Sequence, residues 1–316
     1  MKIIVVGYGE MFRAVISGIL KTENEIVGIF RHENILYNPF NRFFKDFIQP
    51  SYDFTFVKSH KLPEVKANSV NSKKFINQVK RLNADIIITA SWSEKFLPKT
   101  INSPNIACIN VHPALLPKYR GPNPYMQTIL HNENISGVTF HLMSEKFDSG
   151  AILHQEGVPI YNDDNGASLK HKCCKSAEKE VQYLLNNFEK LLKNTKEQNE
   201  DIATYYPNIS LKESILDFNS ETAEEIDRRI RAFNPWVKCH IPFKNEFFTF
   251  ANHEIMFENS TQKPATIIKK VDKSIYIVCK DGSVIKFTGL KITRPFANIL
   301  SDFYFEKFIN VNETAD

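Results

Sequence analysis

No apolar run in these 316 residues approaches the roughly 20 needed to cross a bilayer as a helix. The opening MKIIVVGYGEMF carries one Lys and a strand-length apolar stretch, without the long apolar core and cleavage site of a secretion signal. Five cysteines, an odd number with no framework spacing, exclude a disulfide scaffold and are expected as reduced thiols in a cytoplasmic protein. Charge of one sign is scarce too: a net +4 over this length does not announce nucleic acid. His112, His141 and His154 fit no metal-ligand spacing, so no metal is expected and strand alternation alone accounts for His141. Gly7-Tyr8-Gly9 resembles the front of a dinucleotide fingerprint, but Phe12 stands at the third glycine position. The next strand, EIVGIFR, ends without the acid that would hold a ribose.

What is present is a globular composition, 42% hydrophobic and 24% charged, sufficient for one large and one smaller domain. Apolar strands at 2–7, 25–31 and 84–90 alternate with helices at 10–21 and 72–83, the pattern of a parallel sheet with right-handed crossovers. A short helix is expected at 94–100, others at 124–133 and 166–194, and strands at 137–143 and 151–160. Tyr37, Phe40, Phe43, Phe44 and Phe47 crowd beside Arg42 and Lys45. That stretch reads either as an amphipathic helix packed on the body or as a pocket wall with stacking rings and a cation for phosphate. The polar, proline-broken stretch 195–209 reads as a linker. Beyond it, Glu221, Glu224 and Glu225 open a helix that Arg228, Arg229 and Arg231 close. Short strands then follow at 246–251, 265–271, 274–279 and 283–288, the last two joined by Asp281-Gly282. The expectation is an α/β protein: a Rossmann-like, mostly parallel sheet domain at 1–200 and a smaller β-rich, OB-like barrel domain at 201–316, with a frayed tail at 312–316.

The chemistry concentrates in IACINVHPALLPKYRGPN (106–123) and GVTFHLMSEKFDSG (137–150). Asn110 and His112, two apart on a strand, share one face, and Pro113, Pro117, Gly121, Pro122 and Pro124 then force a loop. Polar groups at the carboxyl end of a strand are where open α/β sheets place ligands. Asp148 closes the second stretch in a turn. An amide donor, a proton carrier and a carboxylate are candidates for one site, although Asp-Ser-Gly is also an ordinary turn.

These two stretches resemble the formyltransferase family that uses 10-formyltetrahydrofolate. Asn-x-His, Leu-Leu-Pro-x-x-Arg-Gly, Gly-Val-Thr and Asp-x-Gly occur in the family's order, and RIRAFNPW resembles its C-terminal domain. The resemblance implies an N-formyltransferase with Asn110, His112 and Asp148 as catalytic residues and 10-formyltetrahydrofolate as the donor. It also implies a pterin site along Ser91–Pro98, with Phe96, Leu97, Ile109, Met143, Ser144 and Lys146 as donor-binding candidates; Trp92 is either wall or core. Transfer to an amine needs a proton acceptor and an oxyanion donor but no covalent intermediate, consistent with the lack of an activated Ser or Cys.

The acceptor is less legible. Compared with methionyl-tRNA formyltransferases, the chain has Gly-Tyr-Gly in place of Gly-Thr-Pro and lacks the Asp-Arg-Pro-Ala-Gly-Arg-Gly loop expected near 33–50. From residue 206 onward 15 Lys and Arg face 15 Asp and Glu, which supplies no evident basic face for tRNA. A nucleotide-linked amino sugar is therefore the expected acceptor. The alternatives are methionyl-tRNA, a hydrolase releasing formate from the same folate, and an idle folate binder.

Overall fold

The computed structural model describes residues 1–36, 39–244, 246–292 and 309–315; Tyr37 of the aromatic run lies outside them. The first unit comprises residues 1–128, 134–162 and 168–207, and the second 129–133, 163–167 and 208–316.

In the first unit, β1 (Lys2–Gly7) is apolar on both faces because both are buried, and it is paired along both edges, to β2 (Glu25–Arg31) and to β3 (Ile86–Ala90). With β4 (Ala107–His112), β5 (Ile135–Leu142) and β6 (Ile152–Pro159) the order is β2-β1-β3-β4-β5-β6. The expected parallel pairing holds through β4, and β5 and β6 then run antiparallel. The strand order reverses around β1, so the carboxyl ends of β1 and β3 border the crevice where such sheets receive ligands.

The helices are α1 (Gly9–Ile19), α2 (Glu33–Leu36), α3 (Pro39–Ile48), α4 (Tyr52–Ser59), α5 (Lys73–Arg81), α6 (Pro98–Ile101), α7 (Pro124–Leu130), α8 (Gly166–Asn186) and α9 (Phe188–Lys193). The helix expected at 94–100 shortens to α6, because Glu94 is drawn away to bind Ser69 and the backbone N–H of Val70. The long helix expected at 166–194 is two helices broken at Asn187.

α3 overturns the expectation of an amphipathic helix packing its aromatic face on the body. Its polar side is the anchored one: Asp46 accepts from the buried Arg31 at 3.0 Å, and Arg42 bonds Asn34. Phe40, Phe43, Phe44, Phe47 and Ile48 face solvent, Phe47 with 79% of its surface exposed. The buried guanidinium of Arg31, also paired with Glu64 and near Glu33, outweighs the apolar stripe in setting the helix's rotation.

The start of α1 answers the dinucleotide question physically. Gly9 N–H donates to Asp53 Oδ2 at 2.7 Å, and Arg13 pairs with the same carboxylate. A side chain of the protein thus occupies the place at the helix N-terminus that a pyrophosphate would take. Phe12 is fully buried where a third glycine would have let that helix approach the sheet.

The stretch 195–209 is not a free linker over most of its length. Lys196 bridges to Ile152, Tyr205 to Arg120, and Gln198 is buried. Its polar composition serves hydrogen bonds to the first unit instead of solvation.

In the second unit, α10 (Ala223–Phe233) opens with a reciprocal capping box between Thr222 and Glu225. Then come β7 (Ile241–Phe243), β8 (Glu246–Thr249), β9 (Asn252–Ile255), β10 (Ile267–Val271), β11 (Ser274–Val278), β12 (Val284–Thr288) and β13 (Lys291–Ile292). The described residues form two antiparallel sheets, β10-β11-β12-β9 and β13-β8-β7. The expected fraying of the tail is overturned. Asn312 N–H donates to Ile267 O, Ile267 N–H to Glu313 O and Ala315 N–H to Ala265 O, at 2.7–2.8 Å. β10 is an edge strand, and the tail takes up its unpaired backbone groups.

Candidate active site

β4 ends inside the sheet with Asn110 opposite His141 and His112 opposite Thr139 on β5. Because residues of equal parity share a face, Asn110 and His112 both meet the carboxylate of Asp148, which returns on the turn after β5. Asn110 Nδ2 lies 3.3 Å and His112 Nδ1 3.6 Å from Asp148 Oδ1. Asp148 takes a left-handed backbone (φ 54°), which Asp tolerates better than most side chains.

Each group is oriented by a further contact. Thr89 Oγ1 donates to Asn110 Oδ1 at 2.9 Å, so the amide nitrogen faces the site. His112 Nε2 lies 2.8 Å from the carbonyl of Tyr119, which as a pure acceptor requires the proton on Nε2. The Nδ1 of the neutral ring, without a proton, is then the nitrogen turned toward Asp148. Gly121 N–H donates to Asp148 Oδ2 at 3.0 Å.

Burial pushes His112 below its ordinary value of 6.5, against the opposing pull of Asp148. Burial alone would raise the Asp148 carboxyl, but the positive charge that His112 and His141 can carry and the Gly121 N–H outweigh it and hold Asp148 well below the usual carboxylate range. The Gly121 N–H and the Asn110 amide donate to this carboxylate whether or not His112 is protonated.

His141, set aside in the sequence as mere alternation, joins this network and corrects that reading. Its Nδ1 lies 2.8 Å from Leu142 O, which puts the proton there and leaves Nε2 to accept from Asn110 Nδ2 at 3.1 Å. Only the β4–β5 register reveals this. Tyr119 and Gly121 lay within the loop already singled out, but their roles are carried by backbone atoms, which residue type does not show.

The donor-binding candidates divide. Ile109 is fully buried on the opposite face of β4, and Phe96 is closed into the core with Phe30 and Phe75. Neither presents side-chain surface to a ligand, which corrects both expectations: odd parity hides Ile109, and the core claims Phe96. Leu97 and Lys146 are exposed, and Ser144 is partly exposed and bonded to Ser149 at 2.9 Å. Met143 packs on the core with its sulfur 3.3 Å from Cys108 Sγ and 3.7 Å from Thr89 Oγ1, beside the Asn110 amide. Trp92, left open as wall or core, is partly buried against Phe30 and His32. Among the described residues its Nε1 has no hydrogen-bond partner.

The model of the formyl transferase family matches residues 1–186, and that of its C-terminal domain matches 208–294. The chain belongs to the formyl transferase family. This formyltransferase is 31% identical over 236 residues to the methionyl-tRNA formyltransferase of Enterococcus faecalis, covering 73% of this chain and 74% of that one. To the enzyme of the same name from Blochmanniella floridana it is 34% identical over 235 residues, 70% of each chain. Among solved structures it is similar to WlaRD, a sugar 3N-formyl transferase in the presence of dTDP and 5-N-formyl-THF. The TM-score there is 0.65 at 20% identity, over 93% of this chain and 98% of that one. It is also similar to HypX from Aquifex aeolicus in complex with tetrahydrofolic acid (TM-score 0.64, 17% identity), matching 98% of this chain but about half, 48%, of HypX. The HypX structure thus contains tetrahydrofolic acid and the WlaRD structure 5-N-formyl-THF. Among the described residues no helix is long and apolar enough to cross a membrane.

Proposed function

We propose that this formyltransferase moves the formyl group of 10-formyltetrahydrofolate onto a primary amine, with Asn110, His112 and Asp148 as its catalytic residues. The convergence of the Asn110 amide and His112 Nδ1 on one Asp148 oxygen carries the reading. The donor supplies the formyl carbon. Asn110 Nδ2–H exchanges its long contact to Asp148 for the oxyanion, a donor typically worth about 100- to 1,000-fold in rate. His112 Nδ1 takes the proton of the attacking amine and returns it to the departing nitrogen, worth roughly 100- to 10,000-fold. Asp148 stabilises the imidazolium in between. Leu97, Met143, Ser144 and Lys146 are the side chains that would meet the donor.

For the acceptor we propose a nucleotide-linked amino sugar. Tyr8, His32 and Trp92 cluster at the carboxyl ends of β1, β2 and β3, with Tyr8 and His32 4.7 Å apart and His32 and Trp92 5.7 Å apart. β1 lies two strands from β4, about 10 Å at ordinary strand spacing. That span suits a sugar whose amine reaches His112 while its base stacks on rings at the rim. α3 adds outward aromatic rings beyond it, although Arg42 is bonded to Asn34 and is not held ready for a phosphate. The neutral charge beyond residue 206 speaks against a polynucleotide. Cytoplasmic residence belongs to the same proposal and is supported by five free, buried thiols.

The likeness to methionyl-tRNA formyltransferases at 31% and 34% identity favours a second reading, transfer to charged initiator tRNA. The deciding assay offers both acceptors at one concentration of 10-formyltetrahydrofolate across a salt series. Formylation of a 3- or 4-amino-sugar nucleotide with shallow salt dependence is expected. Efficient formylation of methionyl-tRNA, falling steeply with salt and without activity on any amino sugar, overturns the acceptor proposal. Formate release without any amine marks a hydrolase.

A further inference from the structure

Gln198 lies 50 residues beyond Asp148 in a polar stretch, yet it is only 8% exposed. Its Nε2 donates to the carbonyls of Asp148 and Gly150, both at 2.8 Å. Its Oε1 accepts from Arg120 Nε at 3.1 Å and Nη2 at 2.8 Å. Two donors and two acceptor sites are all that a primary amide has, and every one is used. The residues on either side of Arg120 are the ones that hold the site: Tyr119 supplies the carbonyl for His112 Nε2, and Gly121 supplies the N–H for Asp148 Oδ2.

The same segment grips that loop at further points. Tyr119 N–H donates to Thr204 Oγ1 at 2.8 Å, Arg120 N–H to Thr204 O at 3.0 Å and Tyr206 N–H to Arg120 O at 3.0 Å. Glu200 takes Arg120 Nη1 and Nη2 at 3.0 and 2.7 Å. The fit is close: Gly121 has φ +111°, and a Cβ there would lie 2.1 Å from Tyr206 O.

We infer that Gln198 is a positioning residue for formyl transfer, a single amide that fixes the Asp148 turn and the Tyr119–Gly121 loop in one register. Through it the carboxylate and the tautomer of His112 are set together. The inference rests on the catalytic roles proposed above for those two residues. A strap that merely stabilised the fold would leave the imidazole's protonation unchanged when weakened. A positioning strap lets Tyr119 O and Asp148 drift from His112, and misplacement by about 1 Å is the order that costs roughly 100-fold in rate.

The test compares the wild type with Gln198→Glu, Gln198→Leu and the exposed neighbour control Glu197→Gln. Gln198→Glu is nearly isosteric and keeps the acceptor for Arg120, but it turns a carboxylate on two carbonyls. Imidazole nitrogen NMR of His112 and single-turnover formyl transfer are measured on each, together with donor affinity. For both Gln198 variants the expected result is a smaller Nε2–H fraction and, in Gln198→Leu, a His112 midpoint moved further down, because the Asp148 charge and the Tyr119 carbonyl are the contacts that raise it. Turnover should fall about 30- to 100-fold, with donor affinity within about twofold and Glu197→Gln unchanged. Wild-type His112 resonances and turnover within threefold in both variants overturn the inference. Should neither fold, Thr204→Val loosens Tyr119 alone, and an unchanged His112 tautomer there counts against the strap equally. The nitrogen spectra need no acceptor, so a wild type that formylates no amine refutes the proposed activity while the positioning relation is still decided.

Discussion

Asn110 Nδ2 and His141 Nε2 lie 3.1 Å apart at paired positions of the β4–β5 ladder. Thr89 holds the amide oxygen on the other side, so the two contacts together fix which way the Asn110 amide points. His141→Leu removes the one that accepts from nitrogen. Turnover should drop about tenfold or more while donor affinity holds, as expected for an oxyanion donor no longer preorganised. Steady-state kinetics with separate donor binding would show it; unchanged turnover removes His141 from the site's function.

His112→Ala and Asp148→Asn should each reduce turnover by roughly two orders of magnitude or more, with the donor still bound. Asp148→Asn keeps the shape but withdraws the charge that would stabilise an imidazolium. Near-normal turnover by either variant on the true acceptor would remove that residue from the proposed mechanism.

Acid should act on both activity and stability through His112. Its folded value lies below 6.5, so the unfolded chain binds its proton first and stability declines as pH falls below about 6.5. Asp148 is depressed when folded; its contribution is full above the ordinary carboxylate value of 3.8 and is lost as pH falls below that. Thermal melts from pH 8 to 4 should show the first decline in the wild type and a weaker one in His112→Gln. The rate profile should lose activity on its acid limb with a midpoint below 6.5. A midpoint above 6.5 would mean that burial does not govern His112.

Arg31 is fully buried among Glu33, Asp46 and Glu64, and burial works against the charge that these carboxylates stabilise. Arg31→Ala leaves them uncompensated and should cost about 3–5 kcal/mol of stability. Asp46→Ala releases α3 from its anchor and should raise amide exchange across 39–48 more than elsewhere. Denaturant titration and hydrogen exchange read the two effects; a loss below about 1 kcal/mol for Arg31→Ala would deny that this cluster is structural.

The amino-acid sequence by itself determined the strands and most helices of the first unit, since their apolar periods and punctuation are local signals. It also determined that Asn110 and His112 share a face, which follows from strand parity alone. Tertiary structure decided what parity cannot: the antiparallel turn to β5 that sets His141 against Asn110, and the chain path that brings Gln198 to Arg120 and Asp148. It reversed α3, because a buried Arg31 demands Asp46 more strongly than exposed phenylalanines demand cover. It paired the tail with β10, because an edge strand leaves backbone groups open that no side-chain pattern announces. The selection of Nδ1 as the free nitrogen of His112 came from the carbonyl of Tyr119, and a backbone oxygen leaves no trace in residue type.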